Sequence, residues 1–396
     1  RSGRGGASSA DTVGVPRSEV PVMDDIPLYK ALVEQPELAA VNEAMSSGKL
    51  GMGAYVGAFE RSARAAIGAD DRFVAAVSTG HAALHLSLLL AGIGPGDEVI
   101  TPSLAHLADV QAIAAVGAEP VFCDIDDDTL CLDVDRAAAL VGPRTKAIIP
   151  LDYGCHVCDH DAIAALAGEA GLRVVHDAAH AFGSSYRGRA IGTFSDLCMF
   201  SFDPVKALSC MDGGLIVVRT EEELKRVHRL RRIGSSEPAE LMYRDERAWT
   251  FDVVELGFRY HLSNVHAAFG LAQLAKLDRI RDSRQAACRR YNEILGGAPG
   301  LRVPDTDFAE VNPFLYYVRV GSGRRDDLRS KLESLGVETG IHWFPAHRLT
   351  QFVDCRQGAL DVTDRVADEI VSLPLHSGMC LDTVDRVCEA VLSFPI

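Results

Sequence analysis

Lysine is nearly missing from this chain. Only Lys30, Lys49, Lys146, Lys206, Lys225, Lys276 and Lys331 occur among 396 residues, so arginine carries most of the positive charge. A high-GC coding bias accounts for such a skew, but the scarcity also leaves few candidates for any role that needs an amine. Basic residues as a whole are outnumbered: 40 Lys plus Arg stand against 55 Asp plus Glu, a formal net charge of -15. That balance argues against nucleic acid or an anionic membrane as partner, while a few local cations still suffice for an anionic small molecule. No apolar run approaches the roughly 20 residues of a membrane span. The longest, around Ala82–Ile93, is interrupted by His85 and Ser87. The N-terminus lacks the apolar stretch of a secretory signal. Residues 1–20 read as a disordered leader or an expression scar, and the protein is expected to be cytoplasmic. The ten cysteines sit mostly in apolar settings, as reduced buried thiols do. Cys155-His156-Val157-Cys158 has metal or redox spacing, but no second pair completes a four-ligand set, so no metal is assigned.

What is present is the composition of a folded protein, 47% hydrophobic and 24% charged. The length asks for two domains or one large domain with an appendage. From Asp71 onward short β-rich runs alternate with helical ones. Strands are expected at Phe73–Val77, Glu98–Thr101, Glu119–Cys123, Lys146–Pro150 and Leu172–Val175, with helices between them. This is the arithmetic of a mostly parallel sheet flanked by helices. Two consecutive strands follow, Leu197–Phe202 and Leu215–Arg219. One long helix is expected from about Ser263 to Leu295. Beyond the Gly/Pro break at Gly296–Pro304 come a strand (Leu315–Val320), a helix (Arg325–Leu335), a short strand (Thr339–Trp343) and helices at Thr363–Ile370 and Asp382–Leu392. The expected fold is α/β, a large domain over 21–274 with a mostly parallel mixed sheet, plus a smaller C-terminal α+β domain over 275–396.

Four features carry chemistry. Ser78-Thr79-Gly80-His81 joins a strand to a helix, where free N–H groups and the helix dipole suit a phosphate; a plain tight turn is the alternative. His176-Asp177-Ala178-Ala179-His180 puts a carboxylate at a strand's C-terminal end, where α/β proteins bind ligands; a helix N-cap is the alternative. Leu197–Phe202 delivers Lys206 to the same edge, with Ser201 beside it; a surface loop lysine is the alternative. Asp212-Gly213-Gly214 permits a close turn before the next strand, or is an ordinary hairpin. Together they supply a phosphate cradle, an acid for a pyridinium nitrogen and an amine for a Schiff base, the parts a pyridoxal phosphate enzyme needs.

The segments GPGDEVITPSLAH, GAEPVFCDID, HDAAHAFGSSYRGRAIGTFSDLCMFSFDPVK, GFRYHLSNVHAAFGLAQL and GIHWFPAH resemble the DegT/DnrJ/EryC1/StrS family of sugar aminotransferases, which are fold type I pyridoxal phosphate enzymes. The likeness runs from about Leu28 to the C-terminus. It implies that Lys206 is the Schiff-base lysine and that Asp177 keeps the pyridine nitrogen protonated. It implies too that Gly80 and Ser201 bind the phosphate. His180 stands where the family usually has Gln beside the phenolic oxygen, and His81 replaces the usual Thr, removing a hydroxyl contact. His106 takes the place of the aromatic residue that stacks on the ring. Arg259 lies where an Asn commonly reaches the phosphate from the neighbouring subunit, so a homodimer is implied. His342 and His347 are expected near the acceptor. The resemblance implies pyridoxal 5'-phosphate, cycling through pyridoxamine phosphate, as cofactor and glutamate or glutamine as donor. The acceptor it implies is a nucleotide sugar, a 4-keto-6-deoxysugar in natural-product or surface-glycan synthesis, or else a keto-cyclitol.

Overall fold

The computed structural model describes residues 25–395; the leader expected over 1–20 lies outside them. Twelve strands are present among the described residues: β1 (Phe73–Val77), β2 (Glu98–Pro102), β3 (Glu119–Cys123), β4 (Thr145–Ile148), β5 (Arg173–Asp177), the short hairpin β6 (Ser185–Tyr186) and β7 (Arg189–Ala190), β8 (Leu197–Ser201), β9 (Gly214–Val218), β10 (Leu301–Arg302), β11 (Tyr316–Val320) and β12 (Ile370–Leu373). Seven of them form one sheet in the order β1-β9-β8-β5-β4-β2-β3. Only β9 runs against its neighbours, so the sheet is mixed but mostly parallel. The apolar runs that build it, such as Leu197–Ser201 and Gly214–Val218, are buried throughout, as strands covered on both faces must be.

Helices cover both faces. Gly80–Leu90 is so enclosed that even His85 and Ser87 are buried. On the opposite side Ala54–Ala66 places Val56, Phe59 and Ala63 in the core and turns Glu60 toward β1. Glu60 Oε1 accepts the Ala76 amide at 2.8 Å and the Arg231 guanidinium at 2.6 Å, and Tyr243 Oη donates to Oε2 at 2.6 Å. Arg231 is fully buried.

A second sheet, β10-β11-β12, is antiparallel. The helices Arg325–Ser334, Asp361–Glu369 and Leu381–Leu392 pack around it. Its residues Tyr316, Val318 and Val371 share one apolar cluster with Ile100, Ile148 and Tyr153 of the first sheet's layer. The N-terminal segment ties the two layers together. Ile26 pairs with Val337, and Leu28 bonds Glu338 and Leu375 on the small layer. A few residues on, Leu32 and Glu37 are held by Gln273 and Lys276 on the large one.

Two expectations are corrected. The helix expected from Ser263 to Leu295 is two, Asn264–Leu274 and Leu277–Leu295, because Lys276 leaves helical geometry and turns its amine onto Leu32, Glu34 and Glu37. Thr339–Trp343 is not a strand; the third strand of the small sheet is Ile370–Leu373, of which the sequence reading covers only Ile370, as the end of a helix. The ten cysteines are all unpaired, and only Cys380 is exposed.

Glu60→Ala would leave the Arg231 guanidinium buried without its counter-charge, which costs about 3–5 kcal/mol. The expected outcome is a marked fall in the denaturant midpoint. An unchanged midpoint contradicts this account of how Ala54–Ala66 is held to β1.

Candidate active site

Because β1, β2, β5 and β8 run in the same direction, their C-terminal ends open on one edge, where ligands bind in such sheets. After β1 the chain turns through Ser78 and Thr79 into the helix Gly80–Leu90, and Thr79 caps it by accepting the Ala82 amide at 2.9 Å. The amides of Gly80 and His81 then have no partner within the helix. This corner is packed to the limit. A Cβ at Gly80 would lie 2.8 Å from Ser201 Cβ and 2.9 Å from its Oγ, and one at Gly214 would lie 2.3 Å from the Thr79 carbonyl oxygen. Glycine is required at both places by the approach of neighbouring backbone and side chain, so the turn is more than an ordinary hairpin.

The corner is one wall of a cavity of about 290 Å³. Gly80, His81, His106, Asp177, His180, Ser201 and Lys206 all line it. Asp177 ends β5, its amide bonded to Pro150 and its carbonyl to Asp152. Its Oδ1 accepts the Ala179 amide at 2.8 Å. On the opposite side of the strand, His176 donates to Asp152 at 2.7 Å, and His160 lies 2.9 Å from the same carboxylate. The ligating atoms of these three buried residues lie within 4.8 Å of one another. The separations are hydrogen-bond lengths, so the three side chains satisfy one another directly. In Cys155-His156-Val157-Cys158, His156 bonds the Tyr317 hydroxyl and Cys158 bonds the Leu151 carbonyl.

Lys206 follows β8 by a short turn, and its ammonium sits 4.2 Å from the centroid of the Phe314 ring. Burial pulls its pKa down to about 8, against the opposing pull of Asp177, Asp203 and Asp109. His180 stacks on the other partner of this wall, Phe314, with centroids 4.2 Å apart and planes at 22°. Its Nδ1 accepts the Gly154 amide at 3.1 Å, which leaves the proton on Nε2. Burial, and then Lys206, hold the ring well below the usual histidine pKa, so it is neutral. His106 caps the helix Leu107–Ala115 and meets Trp343 edge-on at 4.9 Å.

Three expected residues do not line the cavity. Arg259 is exposed beside the end of β1 and makes no ion pair or side-chain hydrogen bond among the described residues. His342 stands behind Phe314 and Trp343, with Nδ1 on Ser372 Oγ at 2.8 Å; burial first, then Lys206, pull its pKa to about 4. His347 has Ser103 Oγ at 2.7 Å from its Nδ1 and Asp364 at 3.2 Å from its Nε2, so both ring nitrogens are engaged within the protein. From this segment it is Trp343, between the two histidines, that reaches the cavity. Phe314 was missed as well. It lies more than a hundred residues from Lys206 in sequence and no local pattern links them.

A sheet edge with a glycine-lined phosphate-type corner, a strand-end carboxylate and a half-buried amine of lowered pKa defines a fold type I pyridoxal phosphate enzyme. The DegT/DnrJ/EryC1/StrS aminotransferase family model matches residues 32–392, and the chain belongs to that family of pyridoxal-phosphate-dependent aminotransferases. It is 34% identical over 375 residues to the spore coat polysaccharide biosynthesis protein SpsC of Bacillus subtilis, covering 92% of this chain and 96% of that one. The solved structure of the aminotransferase TlmJ from Streptoalloteichus hindustanus superposes with a TM-score of 0.86 at 35% identity, covering 93% of this chain and 98% of the other. The sugar aminotransferase CalS13 from Micromonospora echinospora does so with a TM-score of 0.84 at 28% identity, covering 93% and 99%.

The depressed pKa of Lys206 gives a test with the cofactor removed. Its free-amine fraction rises as pH climbs through about 8, two units or more before exposed lysines near 10.4 follow. Amine acylation of the apoprotein at pH 8, mapped by peptide mass analysis, should therefore label Lys206 ahead of the other lysines the probe can reach. Equal labelling of exposed lysines would contradict the assignment.

Proposed function

We propose that the enzyme moves an amino group from glutamate or glutamine to a nucleotide-linked keto-deoxysugar, at C4 of a 4-keto-6-deoxysugar, with pyridoxal phosphate held in this cavity. The observation that carries the reading is the meeting of a half-buried amine, Lys206, and a buried carboxylate, Asp177, in one cavity beside a corner where Gly80 has no space for a side chain. The residues fit the cofactor. The amides of Gly80 and His81 and the Ser201 hydroxyl suit its phosphate. Asp177 suits a protonated ring nitrogen, and the Nε2–H of His180 a phenolic oxygen. His106 would cover a ring face with less area than a larger aromatic.

When bound, pyridoxal phosphate supplies an electron sink for the carbon that loses or gains the amino group. Asp177 holds a proton at the ring nitrogen throughout. Lys206 Nζ, easily deprotonated near neutral pH, takes the α-proton of the donor and later returns a proton to the acceptor's carbon. Phe314 and Trp343 exclude water from the face on which Nζ works. The two half-reactions share one site, so ping-pong kinetics follow. The sugar acceptor is supported by the relatives named above, and the aromatic wall of Trp343 offers a sugar ring an apolar face.

Arg259 belongs to the same reading. It projects from a surface strip whose apolar side chains are strongly exposed, Trp249 at 91% and Leu256 at 84%, with Phe251, Val253 and Val254 beside them. A second copy covering this strip would place Arg259 at the partner's phosphate, where a guanidinium offsets the hydroxyl lost at His81.

Borohydride treatment of the yellow holoenzyme should fix cofactor on Lys206 alone. Lys206→Ala should lower transamination by roughly a thousandfold or more. Arg259→Ala should weaken cofactor retention about tenfold or more, as loss of a charge-assisted contact does, and full retention would sink the two-chain site. Glutamate should bleach the visible band, and a panel of nucleotide-linked keto-sugars and keto-cyclitols should restore it. Restoration by keto-cyclitols alone would overturn the sugar assignment.

A further inference from the structure

The proposed chemistry leaves Asp109 without a task. It lies in the first turn of the helix Leu107–Ala115 and is fully buried. A carboxylate there ordinarily accepts an N–H near the helix start. Neither Asp109 oxygen meets an N–H or O–H donor among the described residues. The group facing it, within hydrogen-bonding reach, is the carboxyl of Asp177, and the Lys206 ammonium is close enough to act on its charge. Asp177 has its Oδ1 taken by the Ala179 amide. Two ionised carboxylates do not share a dry site; such a pair keeps one proton between them. Desolvation first, and the Asp177 charge second, hold Asp109 well above the usual carboxylate range.

Building on the cofactor assignment above, we propose that Asp109 is a positioning residue: its carboxyl retains the shared proton and donates a hydrogen bond to Asp177, fixing that carboxylate in the orientation that meets the cofactor's ring nitrogen. No covalent bond is made or broken and the proton stays on Asp109. A neutral Asp109 also spares Lys206 a further anionic neighbour beside Asp177 and Asp203, which would hold its amine protonated.

The test uses full-length protein and two variants. Infrared difference spectra of the apoproteins at neutral pH, wild type minus Asp109→Asn, should show the carbonyl band of a protonated carboxyl. Its absence overturns the shared proton while the aminotransferase reading stands. Asp109→Asn keeps an N–H donor toward Asp177 and should bind pyridoxal phosphate within about twofold of wild type, whereas Asp109→Leu should bind about tenfold or more weakly. Thermal melting identifies a variant that fails to fold, and the Asn variant with its infrared band decides the matter in that case. Equal affinity of a folded Asp109→Leu protein overturns the positioning role. A wild-type apoprotein that shows the band but takes up no pyridoxal phosphate overturns the cofactor assignment and the ring-nitrogen role with it.

Discussion

The site depends on a contact that leaves no space. Gly214 enters its strand against the carbonyl of Thr79, and Gly80 begins its helix against Ser201. Three chain segments meet there at van der Waals distance, which brings the β1 turn, the end of β8 and the start of β9 to one corner. Larger residues would push the segments apart, and the donors they carry would no longer converge. The antiparallel β9 matters for this reason. By entering the sheet from the functional edge, it seals the corner from below while the parallel strands supply the chemistry from their ends.

Electrostatics inside the cavity run against the surface average. The chain is acidic at -15, yet the groups lining the cavity include histidines that burial holds toward neutrality and an amine that burial disposes to lose its proton. Neutral imidazoles are donors and acceptors without charge. They can contact an anionic cofactor without answering every phosphate with a cation, and they keep Lys206 a competent base. Beneath Asp177, the buried Asp152–His176 pair forms a second polar layer, with His176 held well above its usual pKa despite burial because Asp152 faces it. The strand end that presents Asp177 is thereby braced on both faces.

Much of this was legible in the sequence because the relevant signals are local. The alternation from Phe73 to Val175 has the period of βαβ units, and the strand ends carry Gly80, Asp177, Ser201 and Lys206 within a few residues of recognisable turns. The failures come where long-range packing decides. Ile370–Leu373 is a short apolar run that periodicity alone does not separate from a helix end. The helix break at Lys276 depends on Glu34 and Glu37, some 240 residues away. Trp343 reaches the cavity from the far layer and Phe314 backs Lys206 and His180 there, while the histidines flanking Trp343 are the more conspicuous chemistry in sequence. Asp109 carries no local signal in the sequence; only its enclosure beside Asp177 marks it out.

The N-terminal strap has a mechanical consequence. Residues Ile26 and Leu28 are stitched to the small layer, and Leu32 and Glu37 to the large one, by hydrogen bonds that fall within one short stretch of chain. A rigid-body swing of one layer on the other would have to stretch or release that span. Any opening of the cavity that leaves the strap intact would fall to the side chains and loops around it, Trp343 and His106 among them.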